Sequence, residues 1–180
     1  PTFVQVINMP VVVDLESDGT PDVVVVTSDS YAPADGAYLR ALDGATGAEK
    51  WDAANDVYKP ANRVQPRVTP AAADIDGDGS VEIVTGKVGG GRIAFEHDGT
   101  FKWASTKADG VTPWNTALPS AAVTIADLEG DGKPEIILGG YVFDATGKLL
   151  VDGGTLFGSN GTYGPVSIVA DLDGAFPQEI

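Results

Sequence analysis

Residues 74–82 read DIDGDGSVE, and the same nine-residue pattern returns at 14–22 (DLESDGTPD), 127–135 (DLEGDGKPE) and 171–179 (DLDGAFPQE). The first three copies place carboxylates at loop positions 1, 3, 5 and 9, with glycine at position 6. A short apolar run precedes each copy (residues 11–13, 71–73, 123–126 and 167–170). A β-branched run follows the first three (23–27, 83–85 and 136–138). These runs are too short for helices and rich in Val and Ile, so they predict strands on either side of a turn.

A hairpin closes each unit. YLRALDGATGAEKW (38–51), RIAFEHDGTFKW (92–103) and YVFDATGKLLV (141–151) each set a glycine-containing turn between two strands. Glycine supplies the positive φ that tight hairpins need. Four short antiparallel strands per unit predict an all-β chain of β-propeller blades. The units run approximately over residues 10–67, 68–119, 120–164 and 165–180, three complete blades and part of a fourth. A ring takes about four to eight blades, so the expectation is a segment of a larger propeller, or one completed by blades of another chain. Residues 2–7 read as the last strand of a preceding blade. With strands A to D in each blade, the acidic loops join A to B and the glycine turns join C to D, at one end. The long connections at 28–36, 53–67, 105–119 and 152–164 are expected at the other end.

Charge is concentrated in the loops. The 180 residues carry 26 acids and 11 bases, a net −15. Fifteen of those acids lie in the four loops, and the eleven elsewhere balance the eleven Lys and Arg. Such a balance argues against nucleic acid or an anionic membrane surface as partner. Cysteine is absent, which excludes disulfides and thiolate metal sites. No apolar run has the length of a membrane-spanning helix, so membrane insertion is not expected. The first residue is Pro1, and a targeting segment is expected to lie outside the sequence.

Alternating carboxylates around a glycine turn suit a hard cation. Ca²⁺ takes about six to eight oxygens from carboxylates and carbonyls, whereas Mg²⁺ resists such all-protein cages. The candidate ligands are Asp14, Glu16, Asp18 and Asp22; Asp74, Asp76, Asp78 and Glu82; and Asp127, Glu129, Asp131 and Glu135. The carbonyls of Thr20, Ser80 and Lys133 join them. An EF-hand would need Glu at position 12, where Val25, Thr85 and Leu138 stand. The fourth copy keeps Asp171, Asp173 and Glu179 but has Ala175 and Phe176 at positions 5 and 6, so that site is expected to be weak or empty.

Loop, flanking strands and period together resemble the calcium-binding repeats of the FG-GAP and VCBS type, found in the propeller of integrin α subunits and in many secreted bacterial proteins. The resemblance implies a calcium-stabilised propeller that serves adhesion or ligand recognition, extracellular or on a bacterial cell surface. Glu16 and Glu129 depart from the Asp or Asn usual at position 3, and the longer side chain reshapes the site there. ALDGATGAEKW (41–51) also resembles the tryptophan motif of quinoprotein propellers, which implies packing of one blade on the next. Trp103 falls at the same place in the second unit.

Chemistry elsewhere is sparse. His97 is the one histidine and sits in a turn, so nucleophilic triads have little to work with. Acid–base candidates on the long connections are Asp29, Asp35, Asp56 and Asp109, with Lys59, Arg63, Arg67, Lys87 and Lys107. Tyr31, Tyr58, Trp114 and Tyr163 offer flat surfaces beside these polar groups, a composition suited to a glycan or protein ligand. The expected function is a non-enzymatic binding module. The alternative is a polysaccharide lyase, which needs Arg63, Arg67, Lys87 and Lys107 gathered around one groove. A third reading is an architectural repeat in a surface filament or large adhesin.

Overall fold

The computed structural model describes residues 5–29, 36–118, 120–154 and 164–174. Eleven strands form three antiparallel sheets in chain order. The first holds β1 (Val11–Val13), β2 (Asp22–Thr27) and β3 (Tyr38–Leu42). The second holds β4 (Ala71–Ala73), β5 (Glu82–Gly86), β6 (Arg92–Phe95) and β7 (Phe101–Ala104). The third holds β8 (Thr124–Ala126), β9 (Glu135–Leu138), β10 (Tyr141–Phe143) and β11 (Leu149–Asp152). Helix among the described residues is limited to two 3-10 turns, Asp56–Tyr58 and Pro60–Asn62.

Each of the first three acidic loops joins the first two strands of its sheet, as the sequence predicts, and its position-9 acid opens the second strand. The register repeats: Val13 pairs with Asp22, Ala73 with Glu82, and Ala126 with Glu135. Unbroken apolar runs in these second strands have a direct cause. The middle sheet is covered on both faces: Ile83, Ile93 and Phe95 pack with Val24, Val26 and Leu39 of the first sheet. Val84 and Ala94 pack with Ile136, Leu138, Tyr141 and Phe143 of the third. A strand buried on both faces has no need of polar alternation.

Trp51 and Trp103 act as inter-sheet wedges. Trp51 lies against Gly99 of the next hairpin, and its Nε1 donates to the His97 carbonyl at 3.1 Å. Trp103 repeats this on Gly147, donating to the Ala145 carbonyl at 2.8 Å. The segments leading into β4 and β8 also meet: Thr69 N donates to Ala121 O (2.9 Å), and Val123 N to Thr69 O (3.2 Å). Beyond the third sheet, Ser167 accepts from Thr124 Oγ1 and from Gly139 N.

Three details differ from expectation. The first sheet has three strands, because the second arm of its hairpin is reduced to a Leu42–Glu49 bridge. Within residues 2–7, Gln5 is tied to Ser28 at the end of β2, so it belongs to the first sheet rather than to a preceding unit. The connection at 53–67 does not stay at the far end. Asn55 Nδ2 donates to Asp98 O and Asp56 accepts from Phe101 N, which holds its start on the second sheet's glycine turn. It reaches the far end at Val64, bridged to Ala37 and Lys87.

Candidate functional site

The acidic loops share one internal wiring. At position 1, Asp14 accepts from Asp18 N and Gly19 N, and Asp74 from Gly77 N and Gly79 N. Asp127 accepts from Gly130, Asp131 and Gly132 N. At position 5, Asp18, Asp78 and Asp131 accept from the N–H of Thr20, Ser80 and Lys133. At position 9, Asp22, Glu82 and Glu135 accept from the N–H of position 2: Leu15, Ile75 and Leu128. Glycine at position 6 is required, since Gly19, Gly79 and Gly132 have φ of +86°, +90° and +83°, where a Cβ is disfavoured. Asp171 keeps the first contact, to Gly174 N; Glu179 lies outside the described residues.

The second loop gathers its carboxylates. One oxygen each from Asp74, Asp76 and Asp78 lies within 4.8 Å of the others. Oxygens on opposite sides of one Ca²⁺-sized ion stand about 4.6–5.2 Å apart, so this all-oxygen donor set fits a single hard cation. Among the described residues no other loop gathers three acids this closely. Of the first three loops, the two that do not are those with Glu16 and Glu129 at position 3.

Lysines enter the first two loops from the neighbouring hairpin arm. Lys50 Nζ bonds Glu16 and lies 2.9 Å from both oxygens of Asp22. Lys102 Nζ lies 2.7 Å from Asp76, 2.9 Å from Glu96 and 3.3 Å from Glu82. Burial pushes the Asp22 carboxyl up, but the bonds from Lys50 and Leu15 N outweigh it and hold the group below its usual range. Lys102 likewise holds Asp76 low. Glu82 is fully buried, and burial raises it to about 6 despite the Ile75 N–H and Lys102. Glu135 is also raised, by burial and then by the charges of Glu129, Asp127 and Asp131.

The loop anchors and the lysines were not singled out from sequence. Leu15 and Ile75 at position 2 are buried in the two inter-sheet cores. An apolar residue at position 2 of every copy (Leu15, Ile75, Leu128, Leu172) and the paired dipeptides Lys50-Trp51 and Lys102-Trp103 carry the signal.

The far end is less uniform. Arg63 stacks 3.8 Å over the Tyr38 ring, and Tyr38 meets Tyr58 at 5.7 Å. The Tyr58 hydroxyl donates to Glu49, and burial with that neighbouring charge pushes the phenol up. Lys87 is joined to this group through Val64. Arg67 is half-buried nearby in sequence, and Lys107 sits in an exposed turn closed by Thr112, next to the strand bridge of Thr106 with Lys148. Trp114, a sequence candidate for ligand contact, is buried against Tyr141 and Phe143. Asp29 is exposed, Asp56 pairs with Lys59, and Tyr31, Asp35 and Tyr163 lie outside the described residues. A depression of about 360 Å³ is lined by Asp52, Ala54, Asn55, Asp56 and Thr100, without a base. Arg92 is 1% exposed, beneath Trp114, and its Nε and Nη2 have no hydrogen-bond partner.

Known proteins place these features in context. The FG-GAP-like repeat model matches residues 74–138, from the second acidic loop to the end of β9. The V. cholerae biofilm matrix protein Bap1 is similar at 26% identity and a TM-score of 0.54, over 82% of this chain and 31% of that one. Rhamnogalacturonan lyase PL11 of Bacillus licheniformis shares the fold with a TM-score of 0.60 at 24% identity, over 94% of this chain and 34% of that one. The chain thus spans about a third of each of these proteins. No curated protein sequence matches it. No helix of the described residues is long and apolar enough to cross a membrane.

Proposed function

We propose that the chain is a run of calcium-stabilised β-propeller blades in an extracellular bacterial recognition module. Ca²⁺ is held by the carboxylates at positions 1, 3, 5 and 9 of the first three loops, with the carbonyls of Thr20, Ser80 and Lys133. A glycan or protein ligand is taken at the far end. The observation that carries the reading is the convergence of Asp74, Asp76 and Asp78 within 4.8 Å, at the start of the FG-GAP-like match. A set of hard oxygens, with no thiolate or imidazole, favours Ca²⁺ over softer metals. Hydrogen bonds between the segments leading into β4 and β8 support the propeller arrangement, and likeness to a biofilm matrix protein supports an extracellular adhesive role.

A second reading, lyase action on an acidic polysaccharide, is favoured by Arg63 stacked on Tyr38 beside Tyr58, with Lys87 bridged to the next residue, Val64. The two readings part in one experiment. The protein is incubated in Ca²⁺ with immobilised rhamnogalacturonan and with a neutral polysaccharide, and the retained protein and released unsaturated uronyl ends are measured. Retention without new ultraviolet-absorbing ends supports recognition, and such ends would establish the lyase. Neither retention nor cleavage would contradict a glycan-binding far end.

A further inference from the structure

The third acidic loop lacks a side chain that the other two share. Lys50 and Lys102 each reach the carboxylates at loop positions 3 and 9: Glu16 with Asp22, and Asp76 with Glu82. Both lysines stand three residues after a turn glycine, Gly47 or Gly99, and directly before a wedge tryptophan. The same count from Gly147 gives Leu150, which is 49% exposed. Within the described residues, the third loop has one ion pair, Lys133 with Asp131 at 3.6 Å, and it leaves Glu129 and Glu135 without a cation.

We infer that Lys50 and Lys102 are internal counter-cations that close the first and second loops without metal, so that calcium dependence is concentrated in the third. The inference rests on the calcium reading above. Position 9 opens the second strand, whereas position 3 lies six residues earlier within the loop. An ammonium with three donors draws those two carboxylates together and cancels part of their repulsion. At the third loop the same two acids repel each other until a cation arrives.

Hydrogen–deuterium exchange on the whole chain, read peptide by peptide in Ca²⁺ and in chelator, tests this. Chelation should speed exchange in residues 127–138 by about tenfold or more and change residues 14–27 and 74–86 by less than about twofold. Leu150→Lys should protect the third loop in chelator, and Lys102→Met, which keeps the aliphatic stem, should make the second loop as calcium-sensitive as the third. Equal loosening of all three loops, or no protection by Leu150→Lys, overturns the inference while leaving calcium binding intact. Absence of calcium binding by calorimetry, with no exchange change anywhere, overturns the calcium reading itself.

Discussion

The two ends of the sheets are built by different rules. At the acidic-loop end the same contact recurs at the same position in successive loops, and the tryptophan wedge appears twice. At the far end the described connections differ: one carries Arg63 on Tyr38, another a sealed Arg92 beneath Trp114. A repeated end is constrained by the packing of neighbouring sheets, whereas a divergent end is free to vary with a ligand.

The sharpest way to break this contrast is at the loop anchors. Ile75 is fully buried and Leu128 is partly exposed. Ile75→Ala should therefore cost about 3–4 kcal/mol, and Leu128→Ala about half as much, measured by urea unfolding. Equal losses would show that the anchors do not work through burial. Gly147→Ala comes next. A Cβ there would stand 2.4 Å from Trp103 at a φ of +78°, so a loss of about 2–3 kcal/mol is expected.

The far end should respond with the opposite sign. Arg92→Met replaces a buried cation with two unpartnered nitrogens by an apolar side chain. It should stabilise the protein by about 1–3 kcal/mol in the same denaturant titration, and a loss instead would mark the guanidinium as a partner in something held there. The smallest effect belongs to the exposed turn at 107–112. Bonds from the Thr112 side chain and from the Val111 and Thr112 N–H groups hold Asp109 down to about 2. A lowered folded pKa gives support that is present above the ordinary carboxylate range and lost as pH falls towards 2. NMR titration should place Asp109 near that value, with local exchange rising only below about pH 4; an ordinary carboxylate titration would contradict it.

The repeated end was largely legible in sequence because its physics is local. Carboxylates at fixed spacing, glycine at positive φ and short β-branched runs each act within one loop or strand. The three antiparallel sheets and their glycine turns followed from that. The reduction of the first hairpin arm to a bridge was not legible, because it depends on how residues 52–58 lie across the next unit's turn. Nor was the burial of Trp114, whose neighbours Tyr141 and Phe143 come from a strand more than twenty residues away. The lysine contacts with positions 3 and 9 were hidden for the same reason: Lys50 is 34 residues from Glu16 and 28 from Asp22.

Thermal unfolding in millimolar Ca²⁺ and in chelator tests the central claim, that the acidic loops are cation-held joints between strands. A site filled about 100-fold above its Kd adds about 2.7 kcal/mol, which for a chain of this size is about 5–10 °C in Tm. The account predicts a chelator-induced drop of at least about 5 °C, reversed by Ca²⁺ but not by equal ionic strength of Na⁺. Superimposable curves in Ca²⁺ and chelator would contradict it.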